Sequence, residues 1–330
     1  MWPLLAVFAA ALALALAVGF YQKKTNAVCS SRRRLDGRTA LVTGGTAGMG
    51  LRIARDLAAR GARVIIACPY PREGAAAERA LRERTGSKVV VYKHLDLGSL
   101  QSVRKFAADV LESEERLDLL INNAGVGIVG DFLTKDGLNF IMQVNYFGHF
   151  LLTLLLMPLL RRSGCAADPS RVVNTTSVLR HIGRIDLDKI NATGYWFKVQ
   201  IYGNSKLALV VWARELSARL RGVGAPVVVN SVDPGAVGTA IFDCIGSVKG
   251  MFVTLLFRSL FKTPWQGAQT ALHASLDERA GEVSGEVFKN CRAVGGGGAC
   301  GPETARRLWQ CSAQLVRLDD NELARCLADM

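Results

Sequence analysis

The sequence predicts an α/β fold in which helices cover both faces of a mostly parallel sheet, the doubly wound arrangement. Short runs rich in valine, isoleucine and leucine recur along the chain and alternate with longer segments of helical periodicity. The strand runs are apolar almost throughout, as strands buried on both faces are. The first run also ends in a glycine-rich turn that leads into a helix, the position at which folds of this kind hold phosphate groups.

Six apolar runs are predicted to be strands, and three longer segments are predicted to be helices. The strands are predicted at 38–44, 62–68, 88–96, 117–123, 170–177 and 226–233, and the helices at 50–61, 99–113 and 139–160. The helix at 139–160 is apolar enough to suggest a membrane span, but Gln143, Asn145 and His149 interrupt it. Since it falls where a sheet-covering helix is expected, we interpret it as part of the core.

The first 22 residues are predicted to form a transmembrane helix. The run from Trp2 to Tyr21 contains no charged side chain and is about as long as the 20 residues that cross a bilayer core. A cleaved secretory signal is the alternative, but its basic residues would precede the apolar stretch. Here the basic residues Lys23, Lys24 and 32–34 follow it. Because such residues stay on the cytosolic side, a single-pass anchor with a cytosolic domain is predicted, in the endoplasmic reticulum or another organelle membrane.

Charge and cysteine content indicate neither a nucleic-acid partner nor a metal site. The formal net charge is +13, but the basic residues are spread along the chain apart from the block after the apolar run. Attraction to an anionic membrane face explains that block. The eight cysteines form no Cys-x-x-Cys pair and lie near no histidine at zinc-ligand spacing, as in a cytosolic protein with free thiols.

The glycine-rich turn "TGGTAGMG" at 43–50 is the first feature that points to a ligand. Gly44, Gly48 and Gly50 would let the backbone turn tightly and approach a pyrophosphate, whose charge the following helix N-terminus stabilises. A lone turn of this kind also occurs without a ligand. Its position after the first strand favours dinucleotide binding and a Rossmann fold.

Four motifs in this order resemble the short-chain dehydrogenase/reductase superfamily, and the resemblance covers about residues 36 to 290. They are Thr-Gly-x-x-x-Gly-x-Gly at 43–50, Asn-Asn-Ala-Gly at 122–125, Tyr202-x-x-x-Lys206 and Pro234-Gly235. The stretches "RVVNTTSVLRHIGRI" and "NYFGHFLLT" and the N-terminal apolar run resemble the retinol dehydrogenase-like branch. "TGGTAGMG", "VDPGAVGT" and "LFKTP" are most similar to its dehydrogenase/reductase X-linked type.

The resemblance implies a catalytic set of four residues. Tyr202 would be the general acid/base, and Lys206, one helical turn later, together with the positive nicotinamide ring would lower the pKa of a phenol that is ordinarily about 10. Lys206 would also bond the nicotinamide ribose. Ser177 would hold the substrate oxygen, and Asn145 would position the group that links the lysine to solvent for proton relay. Thr176 stands where this branch usually has a first serine, but Ser177 keeps the family spacing to Tyr202.

The same resemblance implies a set of cofactor contacts along the chain. They are Thr43, Gly44, Gly45, Thr46, Ala47, Gly48, Met49, Gly50, Arg72, Asp96, Asn123, Ala124, Gly125, Tyr202, Lys206, Pro234, Gly235 and Thr239. Asp96 would contact the adenine, although capping the helix that begins near residue 99 is equally natural.

Cofactor choice depends on the end of the second strand. An acidic residue there would bond the adenosine ribose of NAD(H), and an arginine would pair the 2′-phosphate of NADP(H). Pro69 occupies the place where this branch usually carries the arginine. No acidic residue replaces it, and Arg72 or Arg52 could reach the phosphate instead, unless both merely solvate a surface turn. NADP(H) is therefore favoured weakly over NAD(H).

Around this site the chain is predicted to have four parts. The anchor at 1–22 and a basic linker at 23–36 precede a Rossmann catalytic domain at 37–294, which includes an apolar substrate lid at 236–263. A tail at 295–330 opens with a glycine-rich break and contains a short amphipathic helix. Helices carrying Asn145 and Tyr202 often form the dimer contact in this superfamily, so a homodimer is implied by analogy.

The substrate side of the predicted site is apolar. Tyr195, Trp196 and Phe197 precede the catalytic tyrosine, and "MFVTLLFRSLFK" at 251–262 carries a polar stripe, Thr254, Arg258 and Lys262, on an apolar helix. Such a helix fits a membrane interface or a buried contact. The sequence therefore predicts a membrane-anchored oxidoreductase for a lipophilic alcohol or aldehyde such as a retinoid. A polyprenol or steroid dehydrogenase is one alternative, and a non-catalytic cofactor-binding scaffold is another.

Overall fold

The computed structural model of the chain describes residues 13, 16–127, 130–195, 197–238, 261–295 and 300–327. Most of the predicted anchor at 1–22 and most of the predicted lid at 236–263 lie outside the described residues. So do Trp196 and Thr239.

An eight-stranded sheet forms the centre of the domain and confirms the predicted fold class. Its strand order is β3-β2-β1-β4-β5-β6-β7-β8, and every neighbouring pair is parallel except β7 with β8. The strands are β1 Thr39–Thr43, β2 Arg63–Cys68, β3 Val90–His94, β4 Leu119–Asn122, β5 Ser170–Thr175, β6 Val227–Asp233, β7 Val287–Lys289 and β8 Arg292–Ala293. The six predicted strands are β1 to β6.

The strand order reverses between β1 and β4, and this reversal indicates where a ligand would bind. Successive strands run outward from β1 to β3 on one side, and from β4 to β8 on the other. In such sheets a ligand binds in the crevice at the carboxyl ends of the strands where the order reverses. Thr43, Asn122, Thr175 and Asp233 end their strands at this edge.

Helices cover both faces of the sheet because successive strand residues point to opposite sides. Leu41 and Ile65 belong to one buried cluster, and Val42 and Ile66 belong to the other. The helices are α1 Gly48–Ala59, α2 Pro71–Thr85, α3 Leu100–Ser113, α4 Phe140–Met142, α5 Gly148–Leu155, α6 Met157–Ser163, α7 Lys198–Gly222, α8 Pro264–Leu276, α9 Glu278–Glu282, α10 Pro302–Leu315 and α11 Asp320–Leu327. A further helix at 16–24 precedes the domain.

The helix predicted at 139–160 is broken into pieces. A π-helical turn, Gln143–Phe147, separates α4 from α5, and α6 then follows after Leu156. Side chains of the turn are all buried, which agrees with the interpretation of this segment as core. Within the described residues, no single helix has both the length and the apolar character needed to cross a membrane. The helices Phe140–Leu155 and Met157–Ser163, which are bent by 55° relative to each other, have that length and apolar character only when they are taken together.

The C-terminal helix α10 packs on the helices that carry Asn145 and Tyr202. The indole of Trp309 stacks edge-on against Phe150, with ring centroids 5.3 Å apart, and Arg219 lies 4.4 Å from the indole centroid. The Ser312 hydroxyl lies 2.8 Å from that of Tyr146. The homodimer contact implied by analogy would use these helices, and α10 covers part of that surface within the same chain.

Candidate active site

The glycine-rich turn forms a tight cradle before α1. Gly44 and Gly48 have φ angles of +63° and +53°, which glycine adopts at little cost. A β carbon on Gly50 would lie 2.2 Å from the Gly44 carbonyl oxygen and 2.5 Å from Asn123 Nδ2. At the start of α1, Ala47 provides no side-chain cap, so the first N–H groups of the helix are available to an anion. The cradle fits a dinucleotide pyrophosphate.

Thr43 links this cradle to the Asn-Asn-Ala-Gly segment. Its buried hydroxyl oxygen accepts the backbone N–H groups of Asn123 at 2.9 Å and Ala124 at 3.0 Å. Asn123 Nδ2 donates in return to the Thr43 carbonyl at 3.0 Å. The sequence motifs at 43–50 and 122–125 are therefore neighbours on β1 and β4.

Asn145 lies in the π-helical turn, and its side chain holds the backbone of the same segment. Oδ1 accepts the Val126 N–H at 2.8 Å, and Nδ2 donates to the Val126 carbonyl and to Ser205 Oγ, both at 3.1 Å. The residue is fully buried. The bonds to Val126 and Ser205 give its amide a positioning role.

Lys206 enters the site from α7. Its ammonium donates to the Thr175 carbonyl at 3.0 Å and lies 5.7 Å from the ring centroid of Tyr202. A β carbon on Gly125 would be 3.3 Å from the same ammonium and 3.1 Å from Asn145 Oδ1. Burial lowers the pKa of Lys206 to about 8. Asn145, Lys206 and the Gly125 backbone thus meet at the carboxyl edge of the sheet.

Burial has the largest effect on the pKa of the Tyr202 phenol. Burial raises its pKa to about 12; a hydrogen bond with the Ser177 hydroxyl opposes the rise, and the Asp233 carboxylate adds to it. The Lys206 ammonium donates its hydrogen bond to the Thr175 carbonyl and not to the phenol. Desolvation therefore dominates the electrostatics of the phenol.

Ser177 and Thr176 have different roles in the structure. Ser177 begins the 3₁₀ turn Val178–Ile182, accepts the Leu179 N–H at 3.2 Å and contacts the Tyr202 phenol. Thr176 is buried, and its hydroxyl donates to the Lys206 carbonyl at 2.7 Å. Thr176 therefore fastens α7 to the end of β5, and Ser177 is the hydroxyl that faces the phenol.

The Arg180–Asp233 ion pair is part of the site that sequence reasoning missed. Arg180 Nη1 donates to Asp233 Oδ2 at 2.8 Å, and both side chains are buried. Asp233 Oδ1 accepts the Gly235 N–H at 2.9 Å, and Lys289 Nζ lies 3.9 Å from Oδ2. An acidic residue at the end of an apolar strand, directly before Pro234, was the available sequence signal.

His149 is a second residue that the sequence left without a role. Its Nδ1 lies 3.1 Å from the Asn145 carbonyl oxygen, and its Nε2 lies 3.0 Å from the Thr43 hydroxyl. Because a carbonyl can only accept, Nδ1 carries the proton and Nε2 accepts from Thr43. Burial lowers the pKa of His149 to about 3, so the imidazole stays neutral. His149 thus connects the cofactor cradle to the Asn145 turn.

The remaining cofactor positions lie around the same crevice. Arg72 and Arg52 are exposed on α2 and α1. Asp96 does not cap the next helix, because Ser99 does so; its carboxylate accepts the Gly98 N–H at 2.8 Å. Gly235 has a φ of +77°, and Pro234 beside it is buried.

Stacked or exposed apolar side chains lie in the segments that follow β4 and β5. Phe132 and Phe140 stack with ring centroids 4.8 Å apart, in the segment that follows β4. Val178 and Ile182, after β5, and Phe197, before α7, are exposed large hydrophobic residues. These loops lie at the carboxyl edge of the sheet, so the rim is suited to an apolar ligand.

Comparison with known sequences gives one family across most of the domain. A profile described as short chain dehydrogenase matches residues 38–248. Human (Homo sapiens) retinol dehydrogenase 11 is 37% identical over 319 residues, which cover 96% of this chain and 98% of that protein. Human retinol dehydrogenase 13 is 39% identical over 301 residues, covering 89% of each chain. Human dehydrogenase/reductase SDR family member 13 is 40% identical over 301 residues, covering 89% of this chain and 77% of that protein.

Solved structures share the fold. A putative uncharacterized protein from Mycobacterium paratuberculosis matches with a TM-score of 0.69 and 29% identity, over 88% of this chain and 98% of that one. The Pseudomonas aeruginosa RhlG/NADP active-site complex matches with a TM-score of 0.61 and 30% identity, over 81% of this chain and 98% of that one.

Proposed function

Because this chain belongs to the short-chain dehydrogenase family, in its retinol dehydrogenase-like branch, and is a nicotinamide-dependent oxidoreductase acting on CH–OH groups, we propose that it interconverts a lipophilic alcohol and its aldehyde. The observation that carries the proposal is the meeting of Tyr202, Ser177, Lys206 and Asn145 beside the glycine cradle.

In this proposal each residue of the set has a defined role. Tyr202 moves the proton on or off the substrate oxygen, and Ser177 holds that oxygen through the hydroxyl that faces the phenol. Lys206 bonds the cofactor ribose and supplies positive charge, while Asn145 keeps the Gly125–Val126 backbone in place. The nicotinamide, when bound, supplies or accepts the hydride.

The glycine cradle and the Pro234–Gly235 loop would hold the cofactor, and NADP(H) is proposed over NAD(H). Arg52 lies on α1, which follows β1, and Arg72 lies in the first turn of α2, which follows β2. Both side chains are exposed, on the helices beside which a 2′-phosphate would lie. The related RhlG structure is an NADP complex. Pro69, at the end of β2, weakens the preference for NADP(H), because a proline at this position provides no positive charge for the 2′-phosphate.

A retinoid-like substrate suits the apolar rim at Phe132, Val178, Ile182 and Phe197. The names of the retinol dehydrogenase relatives agree with this substrate class. A long polyprenol or a steroid is the second candidate, because the same rim accepts any extended apolar group. In both cases we propose that the run from Trp2 to Tyr21 anchors the protein in an organelle membrane with the catalytic domain in the cytosol.

The first test is the initial rate of all-trans-retinal reduction by the detergent-solubilised protein with NADPH and, separately, with NADH. Tyr202→Phe should abolish the rate, and Tyr92→Phe is the control, since the Tyr92 hydroxyl, on β3, donates to the Cys68 carbonyl. A rate that survives in Tyr202→Phe contradicts the catalytic assignment. Absence of turnover with either cofactor contradicts the retinoid assignment, and the same assay with a polyprenal then separates the second candidate from a non-catalytic scaffold.

A further inference from the structure

The three residues between Tyr202 and Lys206 contact two different parts of the domain. They are Gly203, Asn204 and Ser205, in the first turns of α7. Ser205 Oγ accepts a hydrogen bond from Asn145 Nδ2 at 3.1 Å and donates to the Tyr202 carbonyl at 2.7 Å. The other two residues contact the chain at 177–184, which contains the 3₁₀ turn after β5 and which we call the Ser177 segment.

Gly203 lets the Ser177 segment pack directly on the backbone of α7. A β carbon on Gly203 would lie 2.8 Å from the Leu179 carbonyl oxygen. On the other side of the contact, a β carbon on Gly183 would lie 2.5 Å from the Gly203 carbonyl oxygen. Separations below 3.0 Å are shorter than a β carbon tolerates, so the close approach requires glycine at both positions.

Asn204 holds the end of the Ser177 segment through its side-chain amide. Its Oδ1 accepts the Arg184 N–H at 2.8 Å and an N–H of Gln200 Nε2 at 2.9 Å. Gln200, one turn earlier on α7, also donates to the Ile182 carbonyl at 2.6 Å. Asn204 is buried, and its amide joins the residue after the 3₁₀ turn to the helix that carries the catalytic tyrosine.

The chain is also attached to α7 directly before the Ser177 segment. The Thr176 hydroxyl donates to the Lys206 carbonyl at 2.7 Å. Ser177 therefore lies between this attachment and the one at Asn204. Because Tyr202 is carried by the same helix, the two attachments fix the serine hydroxyl relative to the phenol that it contacts.

We propose that Gly203 and Asn204 are positioning residues for the reaction: by binding the Ser177 segment to α7, they keep the serine hydroxyl against the catalytic phenol. This inference rests on the proposed function. Its geometric basis is the close backbone contact at Gly203 and the bond from Arg184 to Asn204. Every residue between the tyrosine and the lysine then positions a member of the catalytic set.

Hydrogen exchange tests the attachment without any turnover. Asn204→Ala removes the acceptor of the Arg184 N–H. We expect the backbone amides of 178–184 to exchange about fivefold to tenfold faster than in the wild type, as the loss of one hydrogen bond allows. The amides of α3, Leu100–Ser113, are the internal reference and should keep their rates. Unchanged exchange at 178–184, or an equal increase in both segments, overturns the proposal.

The pH profile of alcohol oxidation tests the consequence for the phenol. The bond with the Ser177 hydroxyl lowers the pKa of Tyr202 against the effect of burial. Displacing the serine should therefore move the rising limb of kcat/KM to higher pH, by about 0.5 to 1 pH unit for one hydrogen bond. We expect this shift in Gly203→Ala, which pushes the segment away, and in Asn204→Ala, which releases it. A limb that coincides with that of the wild type in both variants overturns the proposal.

Val211→Ala is the control for a general loss of stability. Val211 is buried on α7, about two turns beyond Asn204. The substitution should lower the urea midpoint, because it removes buried methyl groups, and should leave the pH limb in place. A limb that moves in Val211→Ala as far as it does in Asn204→Ala would make stability the cause of the shift, and this result overturns the proposal.

A milder variant keeps the test decisive if Gly203→Ala or Asn204→Ala fails to fold. Gln200→Ala, at a partly exposed residue, removes the bond to the Ile182 carbonyl and should move the limb in the same direction by a smaller amount. An unmoved limb there overturns the proposal. A wild-type protein inactive toward every alcohol and aldehyde contradicts the proposed function instead, while hydrogen exchange still decides whether Asn204 holds the Ser177 segment.

Discussion

Arg180 and Asp233 form a buried ion pair at the active site, with Nη1 of the arginine 2.8 Å from Oδ2 of the aspartate. The pair joins the 3₁₀ turn after β5 to the end of β6, between Ser177 and the Pro234–Gly235 loop. Arg180 also donates to the Ser177 carbonyl at 3.2 Å. A charge pair in this position influences the protonation of Tyr202, because the Asp233 carboxylate raises the pKa of the phenol.

The first prediction concerns the pH dependence of alcohol oxidation, which requires the Tyr202 phenolate. Asp233→Asn removes a negative charge that disfavours the phenolate, so the rising limb of kcat/KM against pH should move to lower pH. Arg180→Gln leaves that negative charge less compensated, so the limb should move to higher pH. The measurement is the full pH profile of both variants beside the wild type. Shifts in the same direction would contradict the electrostatic role.

A stability measurement accompanies that profile. Removing one partner of a buried pair typically costs about 3–5 kcal/mol, because the other charge remains buried. The double variant Arg180→Gln/Asp233→Asn should therefore be more stable toward urea than either single variant. If it is not, Lys289 at 3.9 Å rather than Arg180 is the main partner of the carboxylate.

The second prediction concerns His149, which joins Thr43 to the Asn145 turn. Burial lowers the pKa of His149 from 6.5 to about 3. As the pH falls below 6.5, the histidine therefore binds a proton in the unfolded chain but not yet in the folded chain. Its neutral state thus contributes stability that is complete above pH 6.5 and is lost progressively toward pH 3. We expect the fall in Tm between pH 6.5 and 5 to be smaller in His149→Gln than in the wild type. An identical fall in both proteins would show that this histidine does not titrate on unfolding.

A functional measurement separates this stability effect from positioning. Glutamine can still donate to the Asn145 carbonyl, whereas leucine cannot, so His149→Leu should lower kcat more than His149→Gln does at pH 7.5. Equal kcat values in the two variants would leave His149 with a packing role only.

Local signals in the sequence predict the sheet well. The strands from 39 to 233 were found because they are apolar on both faces, and this pattern depends on a few adjacent residues. The four-residue spacing of Tyr202 and Lys206 is also local, but their assignment to the site comes from the order of four motifs along the chain. The sequence does not indicate the π-helical turn at Gln143–Phe147, since an added π-helical residue leaves the apolar pattern of the segment unchanged.

Contacts between distant segments were not predictable in the same way. Arg180 and Asp233 are 53 positions apart, and Gln22 and Ala236 are 214 apart. Only the folded chain brings them together. The pKa of Tyr202 illustrates the consequence: its rise comes from burial, which no spacing of tyrosine and lysine records.

The third prediction concerns the C-terminal helix α10. Trp309 is almost fully buried against Phe150, and Trp→Ala changes in a core typically cost about 3–5 kcal/mol. Trp309→Ala should lower the urea midpoint by a corresponding amount. It should also favour self-association at high protein concentration, because the helices carrying Asn145 and Tyr202 lose part of their cover. Arg306→Ala is the control, since within the described part of the chain that exposed side chain pairs with Glu303 on the same helix, and the change should alter stability by less than about 0.5 kcal/mol. Equal effects of the two substitutions would show that α10 is not bound to the domain as described.

The fourth prediction concerns the cofactor cradle. An alanine at position 50 would place its β carbon 2.2 Å from the Gly44 carbonyl and 2.5 Å from Asn123 Nδ2, so the turn must open. We expect Gly50→Ala to lose the rise in Tm that NADPH gives the wild type, a rise that corresponds to about 2.7 kcal/mol at 100 times the Kd. Gly222→Ala is the matched control, because no atom of the residues that the structure describes lies within 4 Å of a β carbon at this position, at the end of α7. That variant should keep the full NADPH shift and gain slightly in stability, since alanine restricts the unfolded chain more than glycine does. A normal NADPH shift in Gly50→Ala would place the pyrophosphate away from the turn between β1 and α1.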